Sequence, residues 1–201
     1  REAKNPLKES SILKGELEPT NEGYALAKIV SAKFCEYISN GGLGKNYKTI
    51  IPCNLYGRYD KYDPIHSHLI PSVIYKLDLA MSEGKNTVDI WGDGKSRREF
   101  MYAGDFAEFI FFAIDKFEMM PQNLNVGLGH DFSITEYYDV IASVVGFNGA
   151  FKHDLSKPEG MKQKLVDIQH LTDFGWNYKT ELVDGIRNTY NFYKEEQSNG
   201  L

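Results

Sequence analysis

The sequence predicts an α/β fold, because short apolar segments with strand character alternate with longer segments of helical periodicity. Glycines and prolines punctuate several of the junctions, as expected where strands turn into helices. The chain has 201 residues, of which 42% are hydrophobic, enough for one large or two small cores. No internal repeat, heptad or low-complexity tract interrupts the alternation. We therefore expect a globular α/β protein.

The first predicted helix spans 21–39. Its apolar or small residues recur at a spacing closer to 3.6 than to 2, and the glycines of 41–46 end it. Polar residues separate the positions of this face, which are Ala25, Ile29, Ala32, Phe34 and Ile38. The sequence leaves open whether this face belongs to a core or to an interface.

A strand and a second helix follow. The segment YKTIIPCNLYG, 47–57, predicts a buried strand that runs into a turn at Gly57. Residues 58–68 are polar, aromatic and rich in turn formers, so they predict a loop. Residues 69–84 predict a helix with Pro71 in its first turn.

The second half of the chain continues the alternation. Residues 86–105 predict a strand and a glycine-punctuated turn. Ser133 and Glu136 have the spacing of a capping box, and Gly146 can end the helix that they begin. The remaining predictions are helices at 104–117, 168–174 and 181–197, a strand and turn at 123–129, an extended segment at 150–155 and a loop at 157–167.

Composition excludes several classes of partner. The net charge is -5, and the only tight basic cluster, Lys95 with Arg97 and Arg98, suits a small anion better than nucleic acid. The longest apolar stretch, 106–114, is too short to cross a membrane and no signal peptide pattern opens the chain. The two cysteines, Cys35 and Cys53, form no CxxC pair and favour a reducing cytoplasm.

Tyr24 and Lys28 stand at positions i and i+4 of the first helix. This spacing places both side chains on one face, about 5 to 6 Å apart at Cβ. A nearby cation favours phenolate over phenol, so the tyrosine could exchange a proton near neutral pH. The same spacing is also typical of an ordinary amphipathic surface helix, and by itself it does not separate the two interpretations.

Other candidate sites also have plain structural interpretations. His66 and His68 form an HxH pair, but no further ligand cluster accompanies it, so we expect no metal. In WGDGKSRREF, Trp91 offers a flat face and Arg98 could clamp a diphosphate, although a β-turn with exposed charges has the same composition. NVGLG is only GxG and predicts a structural turn.

Six motifs in one order carry a resemblance. The chain closely resembles the GDP-L-fucose synthase family, which are epimerase/reductases of the extended short-chain dehydrogenase/reductase type, from about residue 5 to residue 193. The motifs are EPTNEGYALAK, PCNLYG, HSHLIP, WGDGKSRREF, NVGLG and KPEGMKQKLVD. The resemblance implies the C-terminal part of a Rossmann-type α/β protein with a smaller mixed α/β substrate domain.

The resemblance also implies catalytic and cofactor-binding residues for NADP(H) chemistry. Tyr24 would protonate the sugar O4 while hydride reaches C4, and Lys28 would hold the nicotinamide ribose and tune the phenol. His68 would act as the acid of the epimerisation and touch the cofactor. The resemblance implies that Tyr24, Lys28 and His68 contact the cofactor. It implies the same for four further residues, Pro52, Cys53, Asn54 and Leu55. Without the resemblance, the last four residues would indicate only a packed strand end.

The implied substrate is a GDP-linked deoxy-keto sugar. Lys76 matches a basic position where the family often has arginine, and lysine binds phosphate without the bidentate fork. Trp91 and Arg98 would contact the nucleotide sugar, and Arg98 rather than Arg97 directly precedes Glu99-Phe100. Glu159 stands where relatives can carry aspartate. A homodimer through the helix of Tyr24 and Lys28 is also implied.

The resemblance sets the expected domain organisation. We expect residues 1–60 to be the C-terminal part of the NADP-binding Rossmann domain, and 61–201 to be mostly the substrate domain. Within the latter, 86–117 and 122–127 would partly return to the Rossmann domain. The chain starts at Arg1 and lacks a glycine-rich dinucleotide turn and the family's catalytic serine, so we expect the C-terminal part of a longer enzyme.

The expected function is NADPH-dependent conversion of a GDP-4-keto-6-deoxy sugar to GDP-L-fucose or a close analogue. Two alternatives stay open at this point. One is a GDP-sugar 4-reductase without epimerase activity, for instance on a heptose. The other is a noncatalytic fragment that binds sugar nucleotides, and the 201 residues alone are expected to be inactive.

Overall fold

The computed structural model describes residues 3–42, 44–63, 66–157 and 160–198. Its α-helices are α1 (Glu22–Asn40), α2 (Leu69–Ser82), α3 (Ala103–Asp115), α4 (Ile134–Val145), α5 (Gln169–Phe174) and α6 (Leu182–Ser198). Its strands are β1 (Thr49–Pro52), β2 (Asn54–Tyr56), β3 (Thr87–Trp91), β4 (Arg97–Arg98), β5 (Phe100–Tyr102), β6 (Asn123–Val126), β7 (Phe132–Ser133), β8 (Ala150–Asp154) and β9 (Gln163–Lys164).

Parallel pairing dominates the strands. β1 pairs with β6, β2 with β5 and β3 with β8, each pair in parallel. β4 lies between β7, which is antiparallel to it, and β9, which is parallel. The parallel pairs are joined by connections that contain helices, as parallel strands require, and this confirms the predicted α/β class.

Local sequence signals set the helix ends. Ser133 Oγ accepts the backbone N–H of Glu136 at 3.2 Å, and the Glu136 carboxylate accepts the backbone N–H of Ser133 at 2.6 Å. This confirms the predicted capping box of α4. Gly146 ends α4 with φ 85°, a left-handed conformation that glycine adopts without steric cost. Pro71 lies in the first turn of α2, as predicted.

Three predictions about segments were wrong in detail. The segment 47–57 is two strands rather than one, because the chain leaves β6 after the Cys53 N–H bonds to Val126 O at 2.8 Å and then pairs with β5. Arg97–Arg98 is a strand where a turn was predicted. Gln163–Lys164 is a strand in a predicted loop, because β4 offers it an unpaired edge.

Two hydrophobic cores lie in the described part of the chain. The first packs the apolar faces of α2, α4 and α6 against β3, and Ile70, Ile74 and Ile141 within it are fully buried. The second gathers around β6, α3 and α5, with Phe109 and Leu124 fully buried. No residue of α1 is buried. The apolar face predicted for α1 therefore has no core within the described residues, and Phe34 is 64% exposed.

Candidate active site

Tyr24 and Lys28 lie one turn apart in α1. Lys28 Nζ is 5.4 Å from the centroid of the Tyr24 ring, which is cation–π distance. Tyr24 is 63% exposed and Lys28 is also exposed. Within the residues that the structure describes, neither side chain forms a further hydrogen bond, ion pair or ring contact. The phenol and the ammonium are therefore both open to a ligand.

The candidate cofactor segment, Pro52–Leu55, lies where β1 ends. The Asn54 side-chain amide donates to the backbone carbonyl of Glu99 at 2.8 Å, which ties this segment to the strand after Arg98. The Cys53 thiol is buried, and burial, with the Glu99 carboxylate as a smaller cause, raises its pKa far above the ordinary value. A thiol held neutral in this way packs rather than reacts.

His68 is the exposed N-cap residue of α2. Its backbone carbonyl accepts the Ser72 N–H at 3.0 Å, while its imidazole makes no capping bond. The Ser67 hydroxyl donates to Lys61 O at 2.5 Å and so fixes the loop before His68. Over the described ranges, no group of three or more His, Cys, Asp or Glu side chains could hold a metal ion.

Trp91 and Lys76 meet at the carboxyl end of β3. Lys76 Nζ lies 5.0 Å from the Trp91 ring centroid and donates to Tyr138 OH at 3.4 Å. Burial lowers the pKa of Lys76, and the nearby Asp89 carboxylate partly offsets this. Lys157 Nζ lies 5.4 Å from the same ring. Two ammonium groups therefore lie near the indole of Trp91, which is 59% exposed.

The two neighbouring arginines have different partners. Arg97 Nε donates to Asp131 at 2.6 Å and its Nη1 lies 3.4 Å from Glu136, so carboxylates of the chain already engage it. Arg98 donates from Nη1 to the carbonyls of Arg97, at 2.8 Å, and Met161, at 2.6 Å. No carboxylate of the described residues pairs with Arg98, and burial lowers its pKa. Arg98 is thus the arginine left for an external anion.

Glu99 is a buried residue to which the sequence reasoning gave no role. Its carboxylate accepts the backbone N–H groups of Leu128, Gly129 and Val166 at 2.5 to 2.9 Å. Only 1% of the residue is exposed, and burial raises its pKa although these three bonds oppose the shift. The sequence feature that could have identified Glu99 is its position directly after Arg98.

The structure brings some of the predicted site residues together and leaves others apart. Lys76 contacts Trp91, and Asn54 donates to the carbonyl of Glu99, the residue that follows Arg98. In the described part of the chain, no hydrogen bond, ion pair or ring contact joins Tyr24, Lys28 or His68 to those residues. Glu159 lies outside the described residues. Lys157, which the sequence reasoning did not assign, joins the Trp91 group and belongs to the same KPEG motif.

The helix-connected parallel strands and the tyrosine–lysine helix define a Rossmann-type fold of the extended short-chain dehydrogenase/reductase class. The chain belongs to the NAD dependent epimerase/dehydratase family, which it matches over residues 1–127. This confirms the resemblance found in the motifs. None of the helices in the described residues is long and apolar enough to cross a membrane.

Two curated relatives and one solved structure are among the most similar proteins. The chain is 57% identical over 193 residues to GDP-L-colitose synthase of Yersinia pseudotuberculosis, covering 96% of this chain and 63% of that protein. It is 52% identical over 188 residues to GDP-L-fucose synthase of Azorhizobium caulinodans, covering 94% and 60%. The structure of MlghC, a GDP-mannoheptose C4 reductase from Campylobacter jejuni with NADP bound, superposes with a TM-score of 0.83 at 33% identity, covering 96% and 63%. The chain thus spans about 60% of the length of the curated relatives.

Proposed function

We propose that the full-length protein is an NADPH-dependent epimerase/reductase that converts a GDP-4-keto-6-deoxy sugar to GDP-L-fucose or a close analogue such as GDP-L-colitose. The supporting observation is that one chain holds two complementary groups. An open Tyr24–Lys28 pair suits proton transfer to a ketone oxygen. Lys76 on the face of Trp91, with Arg98 left without a carboxylate partner in the described residues, suits a nucleoside diphosphate.

Tyr24 is the proposed proton donor. Reduction of a ketone needs one proton at oxygen for each hydride at carbon, and NADPH when bound supplies the hydride. Tyr24 would give its proton to the sugar O4, and the Lys28 ammonium lies 5.4 Å from the centroid of its ring. His68 is proposed to return a proton to a sugar carbon during epimerisation, a task for which its exposure leaves it free.

The residues present suit a nicotinamide cofactor. Ligands of open α/β sheets bind beyond the carboxyl ends of parallel strands, and Pro52–Leu55 leaves β1 at this edge beside the end of β6. The Cys53 thiol is buried, so contacts from this segment would come chiefly from its backbone, the Asn54 side chain and Leu55. Lys28 and Tyr24 would meet the nicotinamide ribose.

The substrate would be held by charge and by stacking. We propose Lys76 and Arg98 for the diphosphate, Trp91 for a sugar or base face, and Glu159 for ribose hydroxyl groups. Lysine at position 76 acts as a point charge, whereas Arg98 can bind two phosphate oxygens at once.

The two hydrophobic cores support the proposed division into domains. The core of α2, α4 and α6 would belong to the substrate domain. The core around β6 and α3 would belong to the Rossmann domain, but it also includes Leu171 and Phe174 of α5, which lie in 61–201 outside the two ranges proposed to return to that domain. A cytoplasmic homodimer remains part of the proposal. Its support is α1, where Val30, Phe34 and Tyr37 are each at least 64% exposed.

The decisive experiment gives the full-length protein GDP-4-keto-6-deoxymannose and NADPH in deuterated water. We expect NADPH oxidation, deuterium at C3 and C5 by NMR, and a product that matches GDP-L-fucose. Tyr24→Phe should lower the reduction rate roughly a hundredfold or more with little change in C3 exchange. His68→Asn should abolish the exchange, and exchange that persists in this variant would show its role to be wrong.

The second candidate is a GDP-heptose 4-reductase without epimerase activity. It is favoured by the 33% identity to the Campylobacter jejuni C4 reductase. Reduction of a GDP-4-keto-heptose without deuterium uptake at C3 or C5, combined with no turnover of the deoxymannose substrate, would select this candidate over the first.

A further inference from the structure

A cavity of about 460 Å³ lies between the 58–62 loop and the C-terminal helix α6. Pockets for small ligands begin at about 300 Å³, so the space is large enough to hold one. It is lined by Tyr59, Asp60, Tyr62, Tyr75, Phe192, Tyr193, Glu196 and Gln197. The described residues that line it provide five aromatic rings and two carboxylates, and none of them is a lysine or arginine.

The aromatic rings form a connected wall. Tyr59 and Phe192 meet edge to face with their centroids 4.7 Å apart, and Tyr62 lies 4.5 Å from Tyr193. One of these rings already accepts a cation within the chain, since the Arg58 guanidinium carbon lies 5.9 Å from the Phe192 centroid. The negative faces of such rings attract ammonium and guanidinium groups.

The two carboxylates of the cavity have no cation of their own. In the described residues neither Asp60 nor Glu196 forms an ion pair, and Asp60 accepts only the Lys61 backbone N–H at 2.8 Å. The neighbouring Lys194 is engaged by Asp78 at 3.1 Å. Partial burial raises the pKa of Asp60, whereas the hydrogen bond from the Lys61 backbone N–H and, less strongly, the charge of His68 oppose the shift. A bound cation would restore the stabilisation that burial removes from this carboxylate.

The mouth of the cavity carries a strained residue. Tyr59 has φ 63° and is 84% exposed. A bulky residue in the left-handed region is strained, and such residues concentrate at ligand sites. The backbone here keeps a tyrosine ring at the entrance, where it gains little from burial.

We propose that this cavity, lined by aromatic rings and carboxylates, binds a small organic ammonium ion. It is separate from the Trp91 site, because Tyr75 and Lys76 are consecutive on α2 and point about 100° apart. Lys76 reaches Trp91, while Tyr75 lines the cavity. A cation fits better than a neutral sugar, because a sugar could stack on the rings and donate hydroxyl groups to the carboxylates but would add no charge attraction to them.

The test is a calorimetric titration of the full-length protein with choline and with 3,3-dimethyl-1-butanol, which has the same shape without the charge. We expect saturable binding of choline at one site and at least tenfold weaker binding of the alcohol. Equal binding of the two compounds, or no choline binding at tens of millimolar, would overturn the proposal. Saturable binding of mannose without binding of choline would also overturn it.

Matched variants locate the binding. Glu196→Gln and Asp60→Asn should each weaken choline binding about threefold to tenfold, and Phe192→Leu should do the same by removing a ring. Glu195→Gln is the control, because Glu195 neighbours Glu196 on α6 but does not line the cavity. If Glu195→Gln weakens choline binding as much as Glu196→Gln does, the loss comes from the general surface charge. The proposed location of the binding site would then be wrong. Circular dichroism of each variant confirms that it has folded.

Discussion

Burial lowers the pKa of Lys76, so its positive charge is lost at a lower pH than that of an exposed lysine. Its ammonium lies against Trp91 and Tyr138, and burial lowers its pKa from the ordinary value of 10.5. A diphosphate binds only the charged form well, so affinity should fall as the pH rises through the lowered pKa. An arginine at this position stays charged throughout the accessible range.

We therefore predict that GDP binding weakens at alkaline pH in the wild-type chain and that Lys76→Arg removes this dependence of affinity on pH. Calorimetric titrations between about pH 7 and pH 10 measure it. Lys85→Arg, at an exposed lysine paired with Glu83, is the control and should keep the wild-type profile. Identical profiles for the wild type and Lys76→Arg would exclude Lys76 as the titrating group.

Glu99 joins three segments that lie far apart in the sequence. Its carboxylate accepts backbone N–H groups from Leu128, Gly129 and Val166, while its own carbonyl accepts Asn54. A Cβ at Gly127 would lie only 2.4 Å from the carboxylate, so the glycine is needed for this close approach. Glu99 thereby helps to position Asn54, in the segment proposed to contact the cofactor, next to the chain that bears Arg98.

We predict that Glu99→Gln lowers the free energy of unfolding by about 2 to 4 kcal/mol. The amide has one acceptor oxygen, so at least one buried N–H loses its partner. Urea denaturation measures the loss, and Glu118→Gln, on an exposed glutamate, should change stability by less than about 0.5 kcal/mol. Equal stability of wild type and Glu99→Gln would mean that the three bonds contribute nothing net.

At the scale of elements, α4 is the helix whose start is set most completely by its own sequence. The reciprocal bonds of Ser133 and Glu136 satisfy two backbone donors of its first turn. Its buried face then packs on α2 and α6 through Tyr137, Ile141 and Val145.

We predict that Ser133→Ala costs about 1 kcal/mol of stability, because one capped N–H loses its acceptor. Ser143→Ala, at an exposed position inside α4, should be neutral or slightly stabilising because alanine is the better helix former. Thermal melts followed by circular dichroism compare the two, and a similar change in both would rule out the cap as the cause.

Helix α1 has an apolar surface that the described chain leaves open. None of its residues is buried, and Phe34 and Val30 are each 64% exposed. A free helix with this composition is stabilised by a second packing surface rather than by propensity alone. The proposed dimer and the remainder of the Rossmann domain are the candidate surfaces.

We predict that Phe34→Asp changes the stability of the 201-residue chain by less than about 0.5 kcal/mol. In the full-length protein it should shift the sedimentation coefficient from dimer towards monomer, since a buried unpaired charge is costly at an interface. Val183→Asp, at an exposed apolar position on α6, is the control and should leave the assembly intact. An unchanged dimer in the Phe34→Asp protein would contradict the proposed interface.

At the scale of the whole molecule, the chain contains more of the proposed nucleotide-sugar site than of the proposed NADP(H) site. The chain contains Lys76, Trp91 and Arg98, but no glycine-rich phosphate turn occurs in its 201 residues. That turn and the helix after it carry the pyrophosphate of a dinucleotide in Rossmann folds.

We predict that the 201-residue chain binds GDP measurably and NADPH only weakly. Calorimetry with each ligand tests this, and Trp91→Leu should weaken GDP binding several-fold by removing the stacking face. Leu155→Ala, at an exposed position, is the control. Submicromolar NADPH binding to this chain would contradict the prediction.

The sequence predicted much of the fold because the relevant signals are local. Helix periodicity, the capping box and Gly146 act within one or two turns, and the helices were placed within a few residues of their observed ends. The break at Cys53 and the short strands β4 and β9 were not predictable, because each depends on a partner strand from a distant part of the chain.

By itself, the sequence determined the α/β class, the helix caps and the Tyr24–Lys28 pair, since residues four positions apart on a helix must share a face. Only the tertiary structure decided that Lys157 shares the Trp91 ring with Lys76, that Arg97 is taken by Asp131 while Arg98 is not, and that Glu99 is a buried acceptor. These contacts join residues that are tens of positions apart, and their geometry is set by how strands and cores pack rather than by any local pattern.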